Sequence, residues 1–213
     1  MLDKYELIVF DWDGTLMDSI GLIVETVQKT ASAHGLPVPQ ENEVRDIIGL
    51  SLEIALKQLF PSITNQEIED IRLTYKSHYF AQRDQVLPIF DHVESLLQHL
   101  TQSGKKIAVA TGKGRPGLEK AMQDAGLSHY FSAYRTSDDA ESKPSPDMLL
   151  QILTELDVAP DKAIMFGDSI HDLEMATRAG MHSIGVDFGA HDRETLQSKS
   201  PLRVISCYSE LLQ

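Results

Sequence analysis

The sequence has one cysteine, few positive charges and no long hydrophobic run. Because Cys207 is alone among 213 residues, an intramolecular disulfide framework and a cysteine metal cluster are excluded. No apolar run is long enough to span a bilayer, and the first residues, MLDKYE, carry charges in place of the basic and apolar segments of a secretory signal. We therefore expect a cytoplasmic protein without a membrane partner.

The deficit of positive charge limits the partners of the chain. Asp and Glu number 32 against 19 Lys and Arg, which gives a formal net charge of −13. Such a chain repels phosphate backbones at long range, so we expect no nucleic-acid partner. An anionic substrate would need positive charge concentrated at its site, from a divalent cation, a lysine or backbone amides.

Four short apolar runs predict the buried strands of a parallel sheet. They cover residues 7–10, 106–110, 163–166 and 182–186. Helical patterns, such as those over residues 91–102 and 146–156, lie between them. This alternation predicts an α/β fold with a Rossmann-like, doubly wound parallel sheet.

One interval interrupts the alternation. Between residues 16 and 86 there is no apolar strand run, only amphipathic segments over residues 20–34, 41–48, 52–59 and 65–83. Gly35, Gly49 and Pro61 separate these segments. We predict a core domain of residues 1–15 and 87–213, with an inserted α-helical cap domain of residues 16–86.

Two aspartates directly follow the first predicted strand, in the segment DWDGT. Residues two apart in an extended chain point to the same side, so Asp11 and Asp13 can converge, and Gly14 allows a sharp turn beyond them. Converging carboxylates suit a nucleophile with an acid/base partner, or a site for a hard cation. Taken alone, the segment also fits an aspartate-rich turn.

Polar residues follow the other predicted strands as well. Thr111 and Gly112 offer a hydroxyl and an unhindered backbone amide after the second strand. Lys143 lies in a loop stiffened by two prolines, and Asp168 and Asp172 follow the third strand, one helical turn apart. Singly, these segments also fit a turn, a solvent-facing lysine and a helix cap. Together they favour a single site at the carboxyl edge of the sheet.

The segments DWDGT, ATGK, ESKPSP and MFGDSIHD occur in this order over nearly the whole chain. In order and spacing they resemble the four motifs of the haloacid dehalogenase superfamily, and the last three are similar to the phosphoglycolate phosphatase-like branch. The helical insertion after DWDGT resembles the small α-helical cap of that family. The resemblance implies a phosphatase and says little about its substrate.

The resemblance implies roles for the residues at the strand ends. Asp11 would be the nucleophile that forms an aspartyl-phosphate, and Asp13 would protonate the leaving oxygen and then activate the hydrolytic water. Thr111 and the amide of Gly112 would bind phosphoryl oxygens. Lys143 would neutralise charge on the nucleophile and the phosphoryl group.

The resemblance also implies Mg²⁺ as the cofactor. Asp11, the backbone carbonyl of Asp13 and Asp168 would hold the ion. Asp172 would act through Lys143 or through a metal-bound water.

The predicted cap is the expected source of substrate choice, because the strand-end motifs contact only the phosphoryl group and the metal. A cap that closes over the aspartates favours small phosphorylated metabolites over macromolecules, in a monomer or weak homodimer. Arg45 lies just before the glycine-bent segment IIGLS. We expect this arginine to point at a carboxylate or a second phosphate of the substrate, against the alternative of a solvated surface residue.

Other functions stay open at this level. A sugar-phosphate mutase of the β-phosphoglucomutase type has the same motifs. A phospho-accepting signalling domain also phosphorylates an aspartate after a strand, but Asp13 and the helical insertion argue against it. Carbon–halogen hydrolysis requires neither Asp13 nor a metal site with Asp168.

Overall fold

The computed structural model describes residues 2–81 and 87–212 of the chain. A six-stranded sheet forms the centre of the fold, in the order β3-β2-β1-β4-β5-β6. Its strands are β1 Leu7–Phe10, β2 Lys106–Ala110, β3 Ala133–Arg135, β4 Ala163–Gly167, β5 His182–Val186 and β6 Arg203–Ile205. Every neighbouring pair is parallel. The order reverses at β1, which lies between β2 and β4, and such a switch point is where open α/β sheets bind ligands.

The predicted fold class is confirmed, and the four strands predicted from apolar runs are present. The two edge strands, β3 and β6, were missed. Each has three residues: β3 ends at the partly buried Arg135, and β6 begins at the exposed Arg203. Neither therefore shows the continuous apolar run of a central strand.

Helices cover both faces of the sheet, and alternate side chains of β1 point to opposite faces. Ile8 and Phe10 pack in one apolar cluster with residues of α5 and α6, whereas Leu7 and Val9 pack in another with residues of α7 and α8. These elements are α5 Val93–Gln102, α6 Arg115–Asp124, α7 Asp147–Leu156, α8 Ile170–Arg178 and, after β5, α9 Arg193–Gln197. Burial of β1 on both faces explains why its sequence shows no polar alternation.

A group of helices occupies the interval between β1 and α5, as predicted. They are α1 Ile20–Ala33, α2 Glu41–Arg45, α3 Leu52–Leu59 and α4 Asn65–Ala81. The second predicted helix, over residues 41–48, is shorter than expected because the chain turns from residue 46 onward and reaches Gly49 at a φ of 96°. The predicted end of the fourth helix, at residue 83, lies outside the described residues.

Two connecting segments join the helical group to the sheet. Met17 forms an antiparallel bridge with Ile89, and both residues pack against the core cluster on the α5 face. The division at residues 16 and 86 remains a prediction, since residues 82–86 lie outside the description and Leu16 packs with the core. Within the described residues, no helix has the length and apolar character that crossing a membrane requires.

Candidate active site

The functional residues predicted after β1, β2 and β4 meet at the carboxyl edge of the sheet. Asp11, Thr111 and Asp168 each directly follow the last residue of one of these strands. The three strands are adjacent, with β1 in the middle. All three side chains are buried, so the site lies beneath the surface of the protein.

Lys143 joins two of the aspartates. Its Nζ atom lies 2.8 Å from Oδ1 of Asp11 and 2.6 Å from Oδ1 of Asp172. The lysine is 1% exposed, so the alternative of a solvent-facing residue is wrong. Burial lowers the pKa of Lys143, but the two carboxylates raise it more, and the pKa lies above its ordinary value. The ammonium therefore stays charged beside Asp11.

Asp168 is held by two donors that sequence reasoning missed. The hydroxyl of Thr15 donates to Oδ1 at 2.7 Å, and the backbone N–H of Ala190 donates to Oδ2 at 2.7 Å. Thr15 belongs to the DWDGT segment, so its position two residues after Asp13 was an available signal. Ala190 gave none, because the loop after β5 approaches β4 only in the folded sheet.

The predicted helical spacing of Asp168 and Asp172 is not how the two residues meet. Helix α8 begins at Ile170, and Ser169 is its N-cap residue, so Asp168 precedes the helix. Asp172 accepts hydrogen bonds from the backbone N–H and the hydroxyl of Ser169, at 3.1 and 2.6 Å. Asp172 therefore completes the capping box of α8 and also accepts a hydrogen bond from Lys143.

Oxygen atoms of Asp11, Asp168 and Asp172 lie within 4.8 Å of one another. Among the described residues, one cation contacts this cluster: the ammonium of Lys143, which pairs with Asp11 and Asp172. Burial raises the pKa of Asp11 to about 7, against the opposing effect of Lys143. Burial, with a contribution from Asp11, also raises the pKa of Asp168 well above its ordinary value. Excess buried negative charge on hard oxygen donors fits a divalent cation such as Mg²⁺.

This cluster of three carboxylates differs by one residue from the predicted set of metal ligands, because it contains Asp172 in place of Asp13. Asp172 lies in the acidic cluster, whereas the resemblance implied that it acts through Lys143 or through a metal-bound water and not as a ligand. Its carboxylate already accepts hydrogen bonds from Lys143 and Ser169, whereas each oxygen of Asp168 accepts one. Asp11 and Asp168 are therefore the better side-chain ligands for an ion.

Asp13 has partners of its own. Ser19 donates a hydrogen bond to Oδ1 at 2.7 Å, and Nζ of Lys113 lies 2.8 Å from Oδ2. Lys113 also donates to the hydroxyl of Tyr79 at 3.3 Å, from helix α4. Burial lowers the pKa of Lys113, but Asp13 and the nearby tyrosines raise it more, so the side chain is a fixed cation. Neither Lys113 nor Ser19 was predicted, although Lys113 directly follows Gly112.

Gly112 lies against the backbone of the helical group. A Cβ atom at this position would lie 2.4 Å from the carbonyl oxygen of Leu50 and 2.5 Å from that of Gly49. The residue after Leu50 also contacts the core, since the N–H of Ser51 donates to the hydroxyl of Ser142 at 2.8 Å. A glycine is thus required for this close approach, in addition to its predicted role for the phosphate.

The structure does not bring Arg45 to the other predicted residues. Its guanidinium donates to the carboxylate of Glu41 at 2.8 Å and to the carbonyl oxygen of Gly189 at 3.0 Å. Arg45 is absent from the described lining of the pocket at Asp11. This corrects its predicted position: the arginine ties α2 to the loop after β5, because the turn after α2 directs residues 47–51 toward the pocket instead.

A pocket of about 480 Å³ opens above the strand ends. Asp11, Asp13, Thr111 and Gly112 line it from the core. The opposite wall comes from the segment of residues 47–51 and from helices α1, α3 and α4. Lys143, Asp168 and Asp172 are not among the described lining residues, and all three side chains are buried.

Comparison with known proteins shows the family to which this chain belongs. Residues 8–186 match the model of the haloacid dehalogenase-like hydrolases, which is more than four-fifths of the chain. The chain belongs to this family. "Probable phosphatase IndB" of Dickeya dadantii is 34% identical over 214 residues, covering 97% of this chain and 91% of that protein. Pyrophosphatase PpaX of Bacillus cereus is 28% identical, covering 98% and 95%.

Solved structures of the family have the same fold. A hydrolase from Pseudomonas syringae superposes with a TM-score of 0.88 at 26% identity, covering 96% of this chain and 95% of its own. A predicted phosphoglycolate phosphatase from Haemophilus somnus superposes with a TM-score of 0.84 at 23% identity, covering 98% and 97%. The predicted family and the predicted class of enzyme, a phosphatase of this family, are confirmed.

Proposed function

We propose that this enzyme is a Mg²⁺-dependent phosphatase that hydrolyses phosphate monoesters of small metabolites through an aspartyl-phosphate on Asp11. The observation that carries the proposal is the buried contact of 2.8 Å between Asp11 and Lys143, beneath a pocket that Asp13 also lines. A carboxylate held beside a fixed cation at the base of a pocket is placed to attack a phosphorus atom.

The reaction has two steps, and the same proton carrier serves both. An oxygen of Asp11 attacks phosphorus, the bond to the leaving oxygen breaks, and that oxygen takes the proton of the Asp13 carboxyl group. Asp13 then accepts a proton from water as the water oxygen attacks phosphorus, and the bond to Asp11 breaks to release phosphate. Asp11 leaves the cycle as a carboxylate and Asp13 as a carboxylic acid.

The surrounding residues stabilise charge and orientation. Lys143 compensates the charge that gathers on Asp11 and the phosphoryl oxygens, and Asp172 holds Lys143 in place at 2.6 Å. Thr111 and the amide of Gly112 face the same pocket and suit phosphoryl oxygens as donors. Asp11, Asp168 and the carbonyl of Asp13 would hold Mg²⁺, which supplies further neutralisation of phosphoryl charge.

The experiment is hydrolysis of p-nitrophenyl phosphate with and without Mg²⁺. We expect release of phosphate that excess EDTA abolishes, and a phosphate adduct on the peptide that contains Asp11 after rapid acid quenching. Asp11→Asn should abolish both signals, whereas Asp161→Asn, at an exposed position, should retain them. Full activity in EDTA, or wild-type turnover by Asp11→Asn, would refute the proposal.

A further inference from the structure

The pocket above Asp11 has a mainly apolar wall on the side of the helical group. Ile23 and Val27 contribute from α1, Leu52 and Leu56 from α3, and Tyr75 and Tyr79 from α4. Its volume of about 480 Å³ is within the range of about 300–1,000 Å³ that is typical of pockets enclosing a drug-sized molecule. A substrate with a phosphoryl group and only two carbon atoms would leave most of this apolar surface exposed to water.

The two tyrosines provide flat surfaces in that wall. Their rings are stacked, with centroids 6.0 Å apart and planes inclined by 22°. Nζ of Lys113 lies 4.8 Å from the centroid of the Tyr79 ring and also pairs with Asp13. Lys113 therefore holds the Tyr79 ring close to Asp13. Aromatic rings in this arrangement pack well against another ring system.

The charged groups that line the pocket from the helical group are mostly engaged already. In the described part of the chain these groups are Glu53, Arg72 and Lys76. Glu53 pairs with Lys57 at 2.7 Å, and Arg72 pairs with Glu69 at 2.5 Å, each on its own helix. Lys113 is paired with Asp13. Within the described part of the chain, the exposed Lys76 is the remaining cation on this wall with no ion pair, so most of the positive charge at the pocket is already neutralised and Lys76 alone could meet a second anionic group of the substrate.

Resting on the proposed phosphatase function, we infer that the preferred substrate is the phosphate ester of a bulky aromatic or apolar alcohol. The phosphoryl group would lie against Asp11, and the organic group would fill the space between α1, α3 and α4. Asp13 lines this same space, so it can protonate the ester oxygen of such a leaving group. This class differs from the inorganic pyrophosphate and the phosphoglycolate in the names of similar proteins.

A series of primary-alcohol esters tests the inference on the intact enzyme with Mg²⁺. Ethyl, phenylethyl and naphthylethyl phosphate have leaving oxygens of similar reactivity and differ in the size of the organic group. We expect kcat/KM to rise by about 10- to 100-fold from ethyl to phenylethyl phosphate, as for burial of one phenyl side chain. Phosphoglycolate and pyrophosphate should be poorer substrates than phenylethyl phosphate.

A pair of variants locates the effect in the pocket. Leu52→Gln places a neutral polar group in the apolar wall, and Ile54→Gln makes the same kind of change on the same helix at a side chain that is 44% exposed. Leu52→Gln should lower kcat/KM for phenylethyl phosphate by about fivefold or more and change that for ethyl phosphate by less than about twofold. Ile54→Gln should change neither.

The outcomes separate this inference from the function on which it rests. Equal or better hydrolysis of ethyl phosphate, phosphoglycolate or pyrophosphate would overturn the inference and leave the phosphatase proposal intact. Failure to hydrolyse any of the three esters by an enzyme that hydrolyses p-nitrophenyl phosphate would overturn the inference alone, whereas failure on p-nitrophenyl phosphate as well would overturn both. The ester series needs no variant, so it decides the matter even where Leu52→Gln lowers the melting temperature.

Discussion

Nζ of Lys113 lies 2.8 Å from Oδ2 of Asp13, and each of the two side chains is 12% exposed. Tyr79 accepts a hydrogen bond from the same ammonium, so the lysine connects the proposed acid/base residue to helix α4. Ser19 holds the other oxygen of Asp13. The carboxylate is thus oriented from two sides, and its position depends on how the helical group lies over the sheet.

Replacement of Lys113 tests this orientation. Lys113→Met keeps most of the apolar length of the side chain and leaves Asp13 with Ser19 as its partner. We expect kcat to fall by about tenfold, as for loss of a charged hydrogen bond. Lys120→Met, which removes a half-exposed lysine of α6, serves as the control and should retain full turnover. Steady-state kinetics with p-nitrophenyl phosphate measure kcat for both variants. An unchanged kcat for Lys113→Met would show that Ser19 alone is enough to orient Asp13.

Binding of Mg²⁺ should weaken as the pH falls. Burial raises the pKa of Asp11 to about 7, so protons compete with the cation for this carboxylate below that value. With the proton of Asp11 displaced, affinity should drop by at least about tenfold per pH unit below about pH 7, and a proton on Asp168, whose pKa is also raised, makes the dependence steeper. Isothermal titration calorimetry in buffers of different ionisation enthalpy measures both the affinity and the protons released. An affinity that is constant from about pH 6 to pH 8 would contradict the raised pKa of Asp11.

Asp168→Asn should stabilise the metal-free protein while it abolishes activity. The amide is isosteric with the carboxylate: its oxygen can accept from the N–H of Ala190, and its nitrogen can donate to the hydroxyl of Thr15. The substitution removes one buried negative charge beside Asp11 and Asp172. We expect the free energy of unfolding in EDTA at neutral pH to rise by about 1 kcal/mol.

Urea denaturation measures this change. Addition of Mg²⁺ should stabilise the wild-type protein and leave Asp168→Asn almost unaffected, since the variant has lost a proposed ligand. A variant that is less stable than the wild type in EDTA would show that the charge of Asp168 does not destabilise the metal-free protein.

Gly112→Ala should impair the approach of the helical group to the sheet. The added methyl group would lie 2.4 Å from the carbonyl oxygen of Leu50, so the segment of residues 47–51 must shift. We expect kcat/KM to fall by about 10²-fold, because a displacement of about 1 Å at a catalytic site can have that effect. Gly21→Ala is the matched control, since a Cβ atom there meets no atom within 4 Å. Steady-state kinetics and melting curves compare the two variants. Equal kcat/KM values and melting temperatures for Gly112→Ala and Gly21→Ala would contradict the packing argument.

Much of the site was predictable from the sequence because it depends on local patterns and on one rule of topology. The apolar runs of β1, β2 and β4 are buried on both faces, and that burial leaves nearly continuous apolar residues in the sequence. Parallel strands present their carboxyl ends at one edge, so Asp11, Thr111 and Asp168 had to lie near one another. The helices after β1 were predictable for a different local reason, the helical periodicity of their apolar residues.

Only the tertiary structure decided which partners these residues have. The N–H of Ala190 reaches Asp168, and Lys113 bridges Asp13 and Tyr79, through contacts between segments far apart in the chain. Arg45, which the sequence placed at the substrate, pairs with the carbonyl of Gly189 instead. Periodicity and spacing report the face that each element buries, whereas the position of one packed element against another depends on the shapes of both surfaces. The sequence therefore determined the catalytic edge, and the packing of the helical group against that edge determined the shape and the apolar character of the pocket.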